Sequence, residues 1–442
     1  MNWLLLFLIL ILCFYNYYIN RKDITYPSVL ISGSFLLSSF FLALNSVKWD
    51  YSISWHTLLI ICSSLCVFSW GCSWGECIGR KKEGSVPFFK SVINSFVTTY
   101  NIPNIIVLIS ILVGIAAILV RLRYLYDVVG SINIFTQDTI LGEFRKTKDS
   151  SKYTLLIALL SPMMEAIGLV FSTLTLDCFV KKLPIKKIWL LPVVCYVINY
   201  ALSSSRLGIL CLCGAIVIIY LLIQRNTLNK KLSLKQIYLI FFMCIVMFTS
   251  FWFLGLLTGK TQHQISFWDN ISKYAGSSLV LLDYLLNTFH YSISNFGTYT
   301  LKGLNHAFLW LGLDPGKIGT VDTAFYTLGN MGYSNVSSCL YGLVYDYNYW
   351  GMYFIMFVEG ILSSLIHRKA KVNLTKGDFK WLVFYAYVSE LLLFSAIAER
   401  IIYTILTIST LIFVISVLLL NRFVVKTTIT KNSIPYIKRS LQ

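Results

Sequence analysis

About eleven stretches of this chain are long and apolar enough to cross a membrane as helices, and that feature leaves few folds open. A helix in hydrocarbon needs roughly 20 predominantly apolar residues, because each of its backbone hydrogen bonds has to close inside the segment. The stretches run from Asn2 to Ile19, Ser28 to Ser46, Ser54 to Gly71, Pro103 to Val120, Tyr153 to Val180 and Ile188 to Ser203. They continue from Leu207 to Ile223, Ile237 to Leu257, Trp350 to His367, Trp381 to Ala398 and Ile401 to Leu420. Composition agrees: of 442 residues 57% are hydrophobic and 13% charged, with a mean hydropathy of +0.71. A soluble domain is nearer about half apolar and a quarter charged. The first run has no basic residues before it and no small-residue cleavage site after it, so it reads as an uncleaved helix. The expected fold class is an all-α polytopic membrane protein.

A net charge of +18 would suit nucleic acid, but the basic residues sit in short runs between the apolar stretches, which is the pattern of membrane topology. One alternate set of connections holds Arg21 and Lys22, Arg80 to Lys90, Lys181 to Lys187, Arg225 to Lys235, Arg368 to Lys380, and the tail from Arg422 to Arg439. That set carries about 24 of the 37 Lys and Arg and the other about 13, which assigns the first to the cytoplasm. The N-terminus is then outside and the C-terminus inside. Three regions follow: residues 1–257 with eight helices and an outer loop over 121–152, a large outer loop over 258–349, and residues 350–442 with three helices and a basic cytoplasmic tail. Loops longer than about 15 residues mostly carry function or are disordered. The large loop is too aromatic for disorder, holding Phe267, Trp268, Tyr284, Phe289, Tyr291, Phe296, Phe308 and Trp310. It is expected to form amphipathic helices lying on the outer surface, for instance across Ile271 to Phe289. No internal repeat is visible, which speaks against an inverted-repeat transporter.

Most of the 11 cysteines, such as Cys62, Cys66, Cys211, Cys213 and Cys244, lie inside apolar runs and read as small buried hydrophobes. Arginines on the outer side are more informative: Arg121 and Arg123 after the fourth helix, Arg206 between the sixth and seventh, and Arg400 between the tenth and eleventh. A guanidinium offers planar, bidentate, permanently charged recognition of phosphate, and several at one depth would hold a lipid-linked diphosphate. Arg206, in the tight connection with Ser203, Ser204 and Ser205, is read as functional. For Arg121 and Arg123, phosphate binding and snorkelling toward headgroups stand as equal readings. Glu165, Glu359 and Glu390 fall mid-helix and are read as structural, a proton pathway being what would reverse that. A general base belongs near the surface, where Asp346 and His306 are preferred among Asp127, Asp269, Asp283, Asp314, Asp322, Glu399, His263 and His290, although a lone loop histidine is more often a plain surface residue. There is no metal-ligand spacing, no Gly-rich phosphate loop and no nucleophile elbow, so nucleotide use and zinc hydrolysis are not expected.

Two segments resemble the Wzy-type O-antigen and oligosaccharide repeat-unit polymerases. One is Ser203-Ser204-Ser205-Arg206-Leu207-Gly208-Ile209-Leu210, similar to that family's Ser/Gly-rich stretch, arginine and apolar helix. The other is Asn335-Val336-Ser337-Ser338 with Asp346 eleven positions after Asn335, similar to an Asn-Val pair that precedes an Asp-aromatic-Gly at the end of the large outer loop. The usual glycine is Asn348 here, the next most tolerant residue for positive φ, and no tyrosine follows Val336. The resemblance implies a GT-C-like glycosyltransferase architecture in the bacterial inner membrane with its site facing the periplasm or cell exterior. It implies a donor glycan on undecaprenyl diphosphate, an acceptor hydroxyl on a second lipid-linked repeat unit, and a possible chain-length regulator as partner. Arg206, Arg121, Arg123 and Arg400 would hold the diphosphate, Asp346 and His306 would serve the acceptor, and no cofactor is needed beyond any Mg²⁺ carried by the substrate. The related ligase has nearly the same outline, and a lipid-linked oligosaccharide flippase, a transporter, is the reading from another class. The outer loop of about 90 residues favours the enzyme.

Topology is directly measurable. Reporter fusions after Leu232 and Gln442 are expected to behave as cytoplasmic and a fusion at Gly312 as external; an external signal at Gln442 overturns the map.

Overall fold

A computed structural model describes residues 1–83, 96–129, 154–203, 206–228, six positions between 238 and 253, 266–289, 291–292, 295–313, 326–335, 337–375, 378–397 and 404–430, apart from Val336. The chain is a polytopic helical membrane protein. Seven of its described helices are long and apolar enough to span. They lie in α1 (Asn2–Ile19), α2 (Pro27–Leu44), α4 (Trp55–Glu83), α5 (Asn104–Val129), α6 (Thr154–Val180), α8 (Arg206–Leu228) and α11 (Cys339–Thr375). Between them come a single turn, α3 (Ser46–Trp49), the short α7 (Leu190–Leu202), and α9 (Phe267–Thr288) and α10 (Lys302–Trp310) of the large loop. α12 (Lys380–Leu393) and α13 (Ile408–Phe423) follow α11. The expected span from Ile237 to Leu257 falls mostly outside the described residues; Tyr238, Phe242, Ile245, Thr249, Trp252 and Phe253 are helical.

Two short antiparallel strand pairs complete the list. β1 (Phe96–Asn101) pairs with β4 (Val425–Thr430), Phe96 opposite Thr430 and Asn101 opposite Val425. β2 (Tyr326–Thr327) pairs with β3 (Tyr333–Ser334).

The elements form two compact units. The first holds residues 1–82, 266–368 and 388–410, and the second residues 83–265, 369–387 and 411–442. In unit 1, α1 lies along α2, and Asn16 ties three helices by donating to Ser32 Oγ and Ser69 Oγ, both at 3.0 Å. Without a hydrophobic force between helices in lipid, such polar bridges and close backbone approach do the joining. α4 and α11 approach most closely where Gly71 and Gly75 face Phe357, Ile361 and Ser364, and Gly360 faces the Phe68 carbonyl; a Cβ at any of these glycines would run into the opposing helix.

Each unit sorts its polar contacts to two ends. In unit 1, Asn2 donates to the Tyr51 carbonyl at 2.7 Å, at the end reached by the connection between α2 and α4. Asp23, Glu76, His367 and Arg368 gather at the opposite end. In unit 2, Tyr100, Asp177, Lys181 and Phe379 meet at one end, and Arg121, Ser161 and Asn199 at the other. Within each unit these groupings follow the alternation of connections read from the sequence. The end with the Lys- and Arg-rich connections is called the basic end below, and the other the loop end.

Two elements differ from expectation. α9 does not lie on the surface: Ala275 to Asp283 are all buried, and Gly276 packs on Trp49 and the Leu42 backbone, so the helix is built into unit 1 against α2. α11 begins at Cys339, well before the expected Trp350, and is broken at Asn348, whose φ of 59° and ψ of 179° lie in a region nearly reserved for glycine. Asn348 Oδ1 accepts the Tyr349 N–H at 2.7 Å, the local hydrogen bond that lets asparagine occupy such a position.

Candidate functional site

At the loop end of unit 2 the short α7 is enclosed by α5, α6 and α8. Gly114 of α5 abuts the Cys195 side chain and Gly208 of α8 abuts the Tyr200 ring, so α7 sits close enough for its polar residues to reach its neighbours. Asn199 of α7 is almost wholly buried. Its Oδ1 accepts from Arg121 Nε of α5 at 2.8 Å, and Ser161 Oγ of α6 accepts from Arg121 Nη2 at 2.7 Å. Three helices therefore aim one guanidinium, and both of the groups that hold it are neutral. The second nitrogen of the same amide, Asn199 Nδ2, is buried with no hydrogen-bond partner. Among the described residues, no carboxylate hydrogen-bonds this partly buried permanent cation, and an unanswered N–H donor stands beside it.

Tyr200 extends the constellation by donating to Glu165 Oε1 at 3.3 Å, and its ring meets Tyr196 edge-on at 4.8 Å. Arg206 is the first residue of α8, only a tight connection beyond α7; its side chain lies outside the described residues. Arg123 is not brought to this place. It pairs with Asp127 one turn on at 3.2 Å, lies over the Tyr126 ring at 5.3 Å, and is exposed. Arg400, Glu399, Asp314, Asp322, His263 and His290 fall outside the described residues.

Unit 1 holds the other candidates. Asp346, in the first half of α11, has no solvent exposure, and its carboxylate is filled by donors from the turn before α10. Oδ1 accepts from Thr298 Oγ1 at 3.2 Å and Tyr299 N at 3.0 Å. Oδ2 accepts from Tyr299 N at 3.1 Å and from Thr300 N and Oγ1, both at 2.6 Å. Tyr347 OH lies 2.7 Å from Thr300 Oγ1, and Tyr299, Tyr341 and Tyr345 close the same corner with ring centroids 5.8–5.9 Å apart. Asp346 thus fixes the turn that launches α10, and α10 carries His306, which is exposed.

The connection between α2 and α4 is tied to α9 by a second carboxylate. Asp283 accepts from Tyr51 OH at 2.7 Å, and from Ser54 N and Oγ at 3.0 and 2.6 Å. Burial, and then the hydrogen bond to Asp283, raise the Tyr51 phenol well above its ordinary value. At the rim, the hydrogen bond from Lys48 and then that with Ser266 lower the Asp269 carboxyl. Burial lowers the Lys273 ammonium on the same helix. Among the described residues, no group of three or more His, Cys, Asp or Glu side chains is placed to hold a metal ion.

Asn199 and Ser161 were not read as site residues. Their signal was available in part: Asn199 is a polar residue about one turn, and Ser161 about two turns, inside an apolar run, at the end where Arg121 leaves its own run. No protein-family model, curated protein or solved structure matches the chain.

Because every partner of Asp346 is a donor, an amide cannot replace the carboxylate: its NH₂ would face N–H and O–H groups. Asp346→Asn is expected to destabilise unit 1 by on the order of 3 kcal/mol, close to the loss from Asp346→Ala. Protease cleavage across 295–301 in detergent-solubilised protein measures it; wild-type resistance in Asp346→Asn would contradict the cradle.

Proposed function

We propose that this chain is a glycosyltransferase that polymerises oligosaccharide repeat units carried on undecaprenyl diphosphate, at the outer face of the bacterial inner membrane. The observation that carries the reading is the Arg121 guanidinium, held between Asn199 and Ser161 with no carboxylate on it among the described residues, beside an Asn199 Nδ2 that has no partner among them. A lipid diphosphate brings the missing negative charge at the depth where its first sugar leaves the hydrocarbon. Arg206, at the start of α8, is the second member of the proposed set in unit 2; Arg400, outside the described residues, is proposed from the sequence alone. Arg123, paired with Asp127, is the weakest member of the set. The GT-C-like architecture and eleven spans belong to the same proposal.

In the transfer, the bond between the anomeric carbon of the donor glycan and the diphosphate oxygen breaks. A hydroxyl of the acceptor repeat unit forms the new bond and loses its proton. Charge accumulates on the departing diphosphate, and fixed guanidinium groups in a dry site stabilise that charge more than they stabilise the bound substrate. The leaving group is already activated, so no nucleotide is consumed, and any Mg²⁺ arrives with the diphosphate. His306, exposed on α10, is proposed from the sequence as the group that takes the acceptor proton, and Asp346 fixes the turn before α10 within unit 1. A chain-length regulator would dock outside this site.

Glycan ladders from strains at matched membrane protein levels test the reading. Arg121→Ala and Arg206→Ala are each expected to lower polymer by about 10²-fold and leave a single capped repeat unit, as for loss of one transition-state donor. Arg121→Lys should restore little, since a point charge does not reproduce the fork held by Asn199 and Ser161. Wild-type ladders in both alanine strains remove the arginines from the site. Unattached polymer points to the ligase, and absence of any outward repeat unit points to the flippase.

A further inference from the structure

α11 carries a polar stripe through the interior of unit 1. Glu359, Ser363 and His367 are spaced by four residues and share one face, and their exposures are 8%, 4% and 1%. Glu359 Oε2 has no hydrogen-bond partner. The contrast with Asp346 is informative. A carboxylate used to hold structure in this protein collects donors from several residues, whereas Glu359 sits in the middle of an apolar helix with one oxygen unanswered. A carboxyl in that position is expensive to ionise and is a functional candidate by default.

The stripe ends at a second titratable pair. His367 Nε2 lies 3.7 Å from Asp23 Oδ2, and both side chains are buried. Asp23 Oδ1 accepts from Thr25 N at 3.1 Å and Thr25 Oγ1 at 2.6 Å, which fixes the carboxylate. The Tyr26 ring meets the imidazole edge-on at 5.3 Å, and Tyr26 OH donates to the Cys72 carbonyl at 3.1 Å. One residue beyond His367, Arg368 pairs with Glu76 at 3.1 Å, and this pair is 18% and 26% exposed. The buried imidazole and carboxylate therefore stand immediately inside a part-exposed ion pair at the basic end.

We propose that Glu359 is a protonation site inside the membrane, exchanging protons with water at the basic end of unit 1 through Asp23, His367 and Ser363. A proton entering at the Asp23 and His367 pair forms an imidazolium. It then passes through the Ser363 hydroxyl to the Glu359 carboxylate, and the reverse sequence returns it. Each interval of four residues is about 6 Å along the helix, so one bridging water per interval completes the path. Among the described residues, the titratable or charged groups around the stripe include Tyr26 from the connection after α1, Cys72 and Glu76 from α4, and Arg368 from α11; Glu390 of α12 is a further buried carboxyl of the unit. The inference does not depend on what the loop end of unit 2 binds. It assigns the protein a proton-linked step, with the linkage in unit 1.

The test is a rapid pH jump on the full-length protein in lipid nanodiscs, followed by infrared absorption of the protonated carboxyl C=O stretch. The Glu359 band is assigned by its loss in Glu359→Gln. The band is expected to decay after a jump to alkaline pH, and His367→Asn is expected to slow that decay by about tenfold or more. Asp23→Asn serves as the second variant should His367→Asn not accumulate, with slowing again expected. His56→Asn, outside the stripe, should leave the rate unchanged. A Glu359 band that ignores pH, the lack of any such band, or decay at the wild-type rate in both stripe variants overturns the proposal.

Discussion

Polar groups carried below the membrane surface have to find partners inside the protein, and the rest of this structure depends on how they do. The long helices satisfy their own backbones, which is why seven of them can be laid in lipid at all. Side chains then join the helices: Asn16 binds α1 to α2 and α4, and Asp283 binds α9 to the connection between α2 and α4. At the start of α11 and after α12, backbone that leaves the helical path is paired within the protein. The Cys339 N–H that opens α11 donates to the Ser395 carbonyl at 2.9 Å, and the Ala396 N–H donates to Ser34 Oγ at 3.2 Å. The interruption after α12 is thus closed by its own neighbours in unit 1.

The same rule marks the places where the protein leaves a demand unmet. Asp346 meets four donors, one for each of its carboxylate lone pairs, and reads as a fixed point, one that sets the turn ahead of His306. Nearby, the break at Asn348 stores strain of about 1–3 kcal/mol. By contrast, among the described residues Arg121 has only neutral hydrogen-bond partners, Asn199 keeps an unused donor, and Glu359 keeps an unused acceptor. Groups of that second kind are costly unless something else meets them, which is the ground on which an anion is proposed for unit 2 and a proton for unit 1.

Apolar runs were legible because the requirement to close hydrogen bonds locally is written in consecutive residues. α1, α2, α6 and α8 start and end within about five residues of the expected positions, and α5 starts as expected but runs on from Val120 to Val129. The alternation of polar ends within each unit was legible from Lys and Arg for the same reason, as was the positive φ at Asn348. What hydropathy could not show is structure held by long-range contacts. Cys339 to Tyr349 contains Tyr341, Tyr345, Asp346 and Asn348 and scans as loop, yet it is helical because Asp346 and the tyrosines are occupied by residues 298–300. α9 scans as a surface helix, yet its small residues Ala275, Gly276, Ser277 and Ser278 let it pack closely into unit 1. The pairing of Arg121 with Asn199 spans 78 residues and has no local signature, so depth alone hinted at it.

The central claim is that the Arg121 and Asn199 seat is built for an external anion, and one substitution separates it from a structural role. Asn199→Asp would supply the counter-charge from within and occupy the guanidinium. The measurement is binding of a short-chain polyprenyl diphosphate to purified wild-type and Asn199→Asp protein in nanodiscs, alongside thermal unfolding. The account predicts that wild type binds the diphosphate and not the uncharged prenol, and that Asn199→Asp loses at least about tenfold in affinity while remaining as stable as wild type. Equal affinity of the two proteins for the diphosphate, or equal binding of diphosphate and prenol by wild type, would contradict it.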